Sequence, residues 1–456
     1  MKKRLAWLLS ACLAASLLVL FLMPQQRLAG LSVQEQEEYH SLMKLQTRLD
    51  PESSEARRTA DRIQELRKLR KPYAENPGEF ARIMYERTIP FGETVPAYKP
   101  GYRTRELERA IALAPQSVAI LPWTERGPGN VTGRVRGLVV DPIDPTGDTW
   151  FIGSVGGGIW KTTNAGGDWI EVAPYLPNFA VSTIAMSASN NNIMFAGTGE
   201  SMFSVDVING DGMLKSTDRG ATWFRLMSTV GNDNFNNIAR IIIDPTNPDI
   251  VLATTTSGRY KQNTVNSSSI MKSTNGGTSW TEVYRQSIMG TSGRVKKVLQ
   301  IIETPGNFNV QFGSIDEKGV IKSTDAGNTW FPSSSGIDDT TGRIELAISP
   351  SNPNRIYGAA EGSGVSILFY STDAGSSWIR TSGGNTSWLS SQGWYDNTIV
   401  VHPTDENVVY VGGVSLYRMV VSGTTKTSTT IASGPVHVDH HNLMIIPRTG
   451  GGFRIL

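Results

Sequence analysis

KSTDRGATW, residues 215–223, decides the fold. The Asp218 carboxylate can accept hydrogen bonds from backbone N–H groups of its own turn, and Gly220 can take a positive φ. Trp223 then opens the next strand as a large apolar plug. The stretch therefore folds a hairpin. It recurs as KTTNAGGDW (161–169), KSTNGGTSW (272–280), KSTDAGNTW (322–330) and YSTDAGSSW (370–378). Asn164 and Asn275 stand where the other copies carry Asp218, Asp325 and Asp373. An Asx-type turn tolerates that exchange and an obligatory acid catalyst does not, so these five side chains read as structural.

The tryptophans Trp169, Trp223, Trp280, Trp330 and Trp378 are 54, 57, 50 and 48 residues apart. Such spacing fits one four-stranded blade per repeat. A second series of turns supports it: VVDPIDP, MSASNNN, IIDPTNP, IETPGNF, AISPSNP, VHPTDEN and IIPRTGG each lie between two apolar runs, giving seven inner hairpins. Five are followed by an Asp- or Asn-bearing hairpin and the sixth by a degenerate one, YRMVVSGTTKTSTTI. The expectation is an all-β domain over 116–456 with an incomplete last blade. Residues 117–128, SVAILPWTERGP, read as an outer strand closing the ring, with the natural chain continuing past Leu456.

The first 115 residues differ. Lys2, Lys3 and Arg4 precede an apolar run from Leu5 to Met23, so residues 1–30 read as a signal peptide or an N-terminal membrane anchor, and the protein as exported to a bacterial periplasm, cell surface or exterior. Cys12, the one cysteine, lies in that run, which leaves the exported part without a disulfide. Residues 31–115 read as short helices, with caps at Ser32/Glu35, Asp50-Pro51 and Asn76-Pro77 and helical spacing of Tyr39, Leu42 and Met43 or Phe80, Ile83 and Met84. The Arg57–Lys71 stretch is a solvated face. A net charge of +2 gives no field for nucleic acid.

Ser/Thr-x-Asp/Asn-x-Gly-x-x-Trp, five times over, resembles the Asp-box (BNR) repeat of β-propellers, found in sialidases, xyloglucanase-type glycoside hydrolases, the sortilin/Vps10 ectodomain and a photosystem assembly factor. The resemblance covers 123–456 and implies a seven-bladed β-propeller. GPGNVTGRVRGLVVDP (127–142) and GWYDNTIVVHPTDENVVYVGG (393–413) also resemble exported bacterial proteins labelled glycosyl hydrolase-like or sortilin-like. The hydrolase patterns of these families fit badly. The xyloglucanase type has a catalytic Asp before Val-Gly-Gly, where this chain has Ser154 before Val155-Gly156-Gly157. No Arg-Ile-Pro segment of the sialidase type precedes the repeats.

The resemblance places ligands where loops enter inner strands and where second strands meet third strands. VHVDHH (436–441) holds three of the five histidines. Read as an inner strand, it puts His437, Asp439 and His441 on one side. A polar structural strand, a ligand contact and a metal site are the three readings; no metal or other cofactor is assigned. Trp394, Tyr395 and Asp396 begin the strand expected next to it, and Arg134 and Arg136 the strand on its other side. This set suits a protein or polysaccharide ligand. Glycoside hydrolysis would need two carboxyl groups, about 5 Å apart for retention or about 6.5–9.5 Å for inversion. Asp396, Asp439, Glu200 and Glu361 are the candidates. The interaction module is the favoured reading and the glycoside hydrolase the alternative.

Overall fold

The computed structural model describes residues 33–46, 48, 53–69, 87–90, 97, 102–113, 133–174, 176, 180–202, 207–256, 267–288, 295–338, 341–431, 437–448 and 450–456. The chain divides into two compact units, one ending at Glu79 and the other beginning at Phe80.

The first unit holds α1 (Val33–Gln46) and α2 (Ser54–Leu69). Ala56, Thr59, Ile63 and Leu66 recur at helical spacing and are buried, while Arg57 and Arg58 are exposed. Arg62 Nε donates to Glu38 across the pair at 2.8 Å. Ser53 caps α2, its Oγ accepting from Ala56 N–H at 3.0 Å. The other expected caps, at Ser32, Asp50-Pro51 and Asn76-Pro77, lie outside the described residues, as do Phe80, Ile83, Met84, the apolar N-terminal run and 117–128. Among the described residues no helix is long and apolar enough to cross a membrane.

The second unit carries α3 (Tyr102–Leu113), tied to the sheets by Arg225 Nη1, which donates to Glu108 at 2.8 Å. Its antiparallel sheets follow chain order. Sheet 1 is β1 (Val135–Val140), β2 (Trp150–Ser154), β3 (Gly158–Thr162) and β4 (Ile170–Glu171). Sheet 2 is β5 (Val181–Met186), β6 (Met194–Thr198), β7 (Met213–Ser216) and β8 (Phe224–Arg225). Sheet 3 is β9 (Asn237–Ile243), β10 (Val251–Thr256), β11 (Ser268–Ser273) and β12 (Thr281–Gln286). Sheet 4 is β13 (Val298–Thr304), β14 (Asn307–Ile315), β15 (Gly319–Ser323) and β16 (Phe331–Pro332). Sheet 5 is β17 (Ile344–Ile348), β18 (Ile356–Glu361), β19 (Ser366–Ser371) and β20 (Ile379–Arg380). Sheet 6 is β21 (Thr398–Val401), β22 (Val408–Gly412), β23 (Leu416–Ser422) and β24 (Thr425–Thr430). Sheet 7 has two strands among the described residues, β25 (Ile445–Pro447) and β26 (Phe453–Ile455). Each turn expected between two apolar runs joins the first and second strands of one sheet.

The core lies between sheets rather than within them. Phe151 and Ile159 of sheet 1 pack on Ile184 and Met194 of sheet 2, and Phe312 and Val320 of sheet 4 on Ile344 and Ile356 of sheet 5. Each such side chain contributes about 1.5–3 kcal/mol by leaving water. Sheet 7 touches both its neighbours. Leu443 and Phe453 pack on Val408 and Tyr410 of sheet 6, while Arg454 Nη2 donates to Asp148 of sheet 1 at 2.7 Å. The sheets thus form a closed ring, a β-propeller.

The tryptophan hairpins have the expected chemistry. Asp218 Oδ1 accepts from Thr222 N–H at 2.9 Å and from Ser216 Oγ at 2.7 Å. Gly220 has φ +76°, and a Cβ there would meet Phe151 of sheet 1 at 2.6 Å. The residue before this glycine is left-handed too, including non-glycines at Ala165, Arg219, Ala326 and Ala374. That costs roughly 1–2 kcal/mol at each non-glycine position. The lysine that opens the motif supplies an offset the sequence reading missed. Lys215 Nζ donates to Gly276 O at 2.8 Å, Lys272 to Ala326 O at 2.8 Å and Lys322 to Ala374 O at 2.7 Å, each reaching the left-handed carbonyl of the next sheet. In sheet 5, where tyrosine replaces lysine, Tyr370 OH donates to Gly423 O of sheet 6 at 2.9 Å.

Candidate functional site

The inner strands β1, β5, β9, β13, β17 and β21 begin at one face of the ring, and the second strands end there. That face gathers side chains far apart in sequence. Tyr395 is their centre. It lies in a turn ahead of β21 rather than on the strand, as do Trp394 and Asp396. The Tyr395 hydroxyl donates to Glu200 Oε1 of sheet 2, and its ring clusters with Met202 and Leu299. Arg136 of sheet 1 lies 4.8 Å from the ring centroid and Arg134 5.4 Å. The His441 ring meets it edge-on at 5.0 Å. The Tyr395 carbonyl accepts from Arg136 Nη1 at 3.2 Å and from Arg343 Nη1 of sheet 5. A side chain touching sheets 1, 2 and 7, with Leu299 of sheet 4 in its cluster, stands at the channel axis.

Beneath it a cavity of about 240 Å³ runs between β9, β13, β17, β21 and residues 442–443. Its polar lining is Arg240, Gln300, Glu303, Glu345, Thr398 and Asn442. Glu345 links mouth and cavity, accepting from Arg343 Nη2 and, at 3.3 Å, from Arg240 Nη2.

Glu200 and Asp396 are fully enclosed, at 0% and 1% exposure. Asp396 Oδ1 lies 3.0 Å from His441 Nδ1, yet neither Asp396 oxygen has an in-line donor. Burial holds His441 below the usual imidazole range against the pull of Asp396. Burial, with the adjacent Arg343, lowers Arg136; burial, against the pull of Arg136, raises the Tyr395 phenol. Arg134 and Trp394 remain half-buried at the rim.

The structure brings together Arg134, Arg136, Trp394, Tyr395, Asp396, Glu200 and His441. It separates His437 and Asp439 from them. The segment read as an inner strand is not one: residues 437–444 carry no ladder, and β25 is confined to Ile445–Pro447. Asp439 takes φ +71°, which breaks side-chain alternation, and His440 N–H bonds instead to Gly413 O of sheet 6 at 2.8 Å. His437 is exposed, and Asp439 faces Gln392 Nε2 at 3.3 Å. Among the described residues no cluster of three or more His, Cys, Asp or Glu has metal-site geometry.

Sequence reasoning missed Arg343, Glu345, Lys297 and Asp316. A signal existed for the first: Gly342-Arg343-Ile344 repeats the Gly133-Arg134-Val135 pattern ahead of an inner strand. Lys297 Nζ donates to Ser201 O at 2.7 Å, fixing the loop that carries Glu200. Asp316 follows β14 on the same face. Burial, together with the charges of Glu317 and Glu361, pushes its carboxyl up to about 7.

No family model matches the chain. It is similar to a xyloglucanase from Paenibacillus sp., at 27% identity over 57% of this chain and 27% of that protein. Among solved structures, an ancestral GH74 enzyme superposes with a TM-score of 0.55 at 22% identity, covering 71% of this chain and 43% of that one. YCF48 bound to D1 peptide gives a TM-score of 0.38 at 17% identity over 61% and 76% of the two chains. The chain spans about a quarter of the xyloglucanase and under half of the ancestral enzyme.

Proposed function

We propose that the protein is an exported Asp-box β-propeller that binds a polysaccharide or protein ligand at its channel mouth, through Trp394 and Arg134 as rim contacts. The carrying observation is the enclosure of Glu200 and Asp396. A general acid must reach the leaving-group oxygen, and a sealed carboxylate held against Tyr395 or His441 does not. These carboxylates brace the arginines and the tyrosine, and the indole and guanidinium on the rim are left to meet the ligand. Affinity electrophoresis against a polysaccharide panel, with xyloglucan included, and binding isotherms against secreted proteins test this. Trp394→Ala and Arg134→Ala should each weaken retention of the bound partner about tenfold or more while the protein stays folded, as circular dichroism reads it. Unchanged retention in both variants would exclude the rim.

The glycoside-hydrolase reading draws support from the similarity to a xyloglucanase and from Asp316, a carboxyl protonated near neutrality with Glu361 as a charged neighbour. It predicts reducing-sugar release that Asp316→Asn and Glu361→Gln abolish. A panel giving no release in the wild type eliminates it for those substrates.

A further inference from the structure

The cavity beneath Tyr395 is separate from the rim contacts. Its wall combines apolar side chains (Ile242, Ile302, Leu346 and Ile399) with polar groups of unequal satisfaction. Gln300 is fully committed, its amide exchanging hydrogen bonds with the Leu346 backbone at 2.6 and 3.1 Å. Arg240 Nε, by contrast, is buried with no partner. Glu303 also lines the cavity, and burial pushes its carboxyl above the usual carboxylate range. About 240 Å³ corresponds to roughly eight waters at about 30 Å³ each, the space of one pyranose ring rather than two. An anion would meet Glu303 and Glu345, and a cation would meet Arg240; a neutral molecule bearing several hydroxyls satisfies both ends and packs its C–H faces on the isoleucines.

We propose that the channel is a binding compartment for a single small neutral polyol, of monosaccharide size. This compartment does not depend on the macromolecular ligand proposed for the rim.

The experiment is calorimetric titration of the full chain with D-xylose and D-glucose. The expectation is saturable one-to-one binding, weakened at least tenfold in Ile302→Trp, which fills the space. Glu303→Leu replaces a polar lining group at nearly constant volume and stands in for the tryptophan variant if that variant does not fold. His437→Ala, an exposed residue apart from the cavity, should leave sugar binding intact. No saturable binding in the wild type, or binding unaffected by the cavity variants, overturns the compartment.

Discussion

Asp316 shows what enclosure does to one side chain at the mouth. Burial first, and the charges of Glu317 and Glu361 second, raise its carboxyl to about 7, against about 3.9 in an unfolded chain. The folded state therefore binds this proton more tightly than the unfolded state does. Its contribution to stability is complete below the ordinary carboxylate range and is lost as pH rises through about 4 to about 7. Chemical denaturation at pH 5 and pH 8 should find the wild type less stable at pH 8, by on the order of a few kcal/mol. Asp316→Asn should remove most of that difference. An unaltered pH slope in the variant would place the titration on another group. Nothing in the local sequence marks Asp316, because its state is set by side chains from elsewhere in the ring. Tyr395 and Arg134 were legible for the opposite reason: each sits in a glycine-rich entry to an inner strand, the local pattern that marks the hub.

At the scale of the element, the hairpins were legible because their chemistry is local. A serine, an acidic or amide side chain, a glycine and a tryptophan within nine residues suffice to close the turn, and the hydrogen bonds of Asp218 bear that reading out. The histidine segment was misread because alternation presumes a ladder partner, and at 437–444 the backbone turns through Asp439 to bond with Gly413 instead. The opening lysine of three of the motifs crosses to the neighbouring sheet, which nothing within the hairpin itself announces. Lys272→Met should retain the stem of the side chain while losing the bonds to Ala326 O and Asn328 Oδ1. A charged hydrogen bond of this kind contributes about 1.5–3 kcal/mol, so urea denaturation should show a loss of that order. A surface lysine without the cross-sheet bond would change stability by no more than about 0.5 kcal/mol.

For the molecule as a whole, the account rests on ring closure bringing residues about two hundred positions apart into one mouth. Repeat spacing implied the ring, but the enclosure of Glu200 and Asp396 could not be read from it, because burial at the hub depends on which side chains cross the axis. That enclosure is what the proposed function rests on: of the four carboxylates offered from sequence, Glu200 and Asp396 are sealed against Tyr395 and His441. The most direct measurement is a double-mutant cycle on stability with Tyr395→Phe and Glu200→Gln, residues of sheets 6 and 2 joined by one hydrogen bond across the channel. The closed ring predicts a coupling of about 1 kcal/mol or more; additivity to within about 0.3 kcal/mol would contradict it.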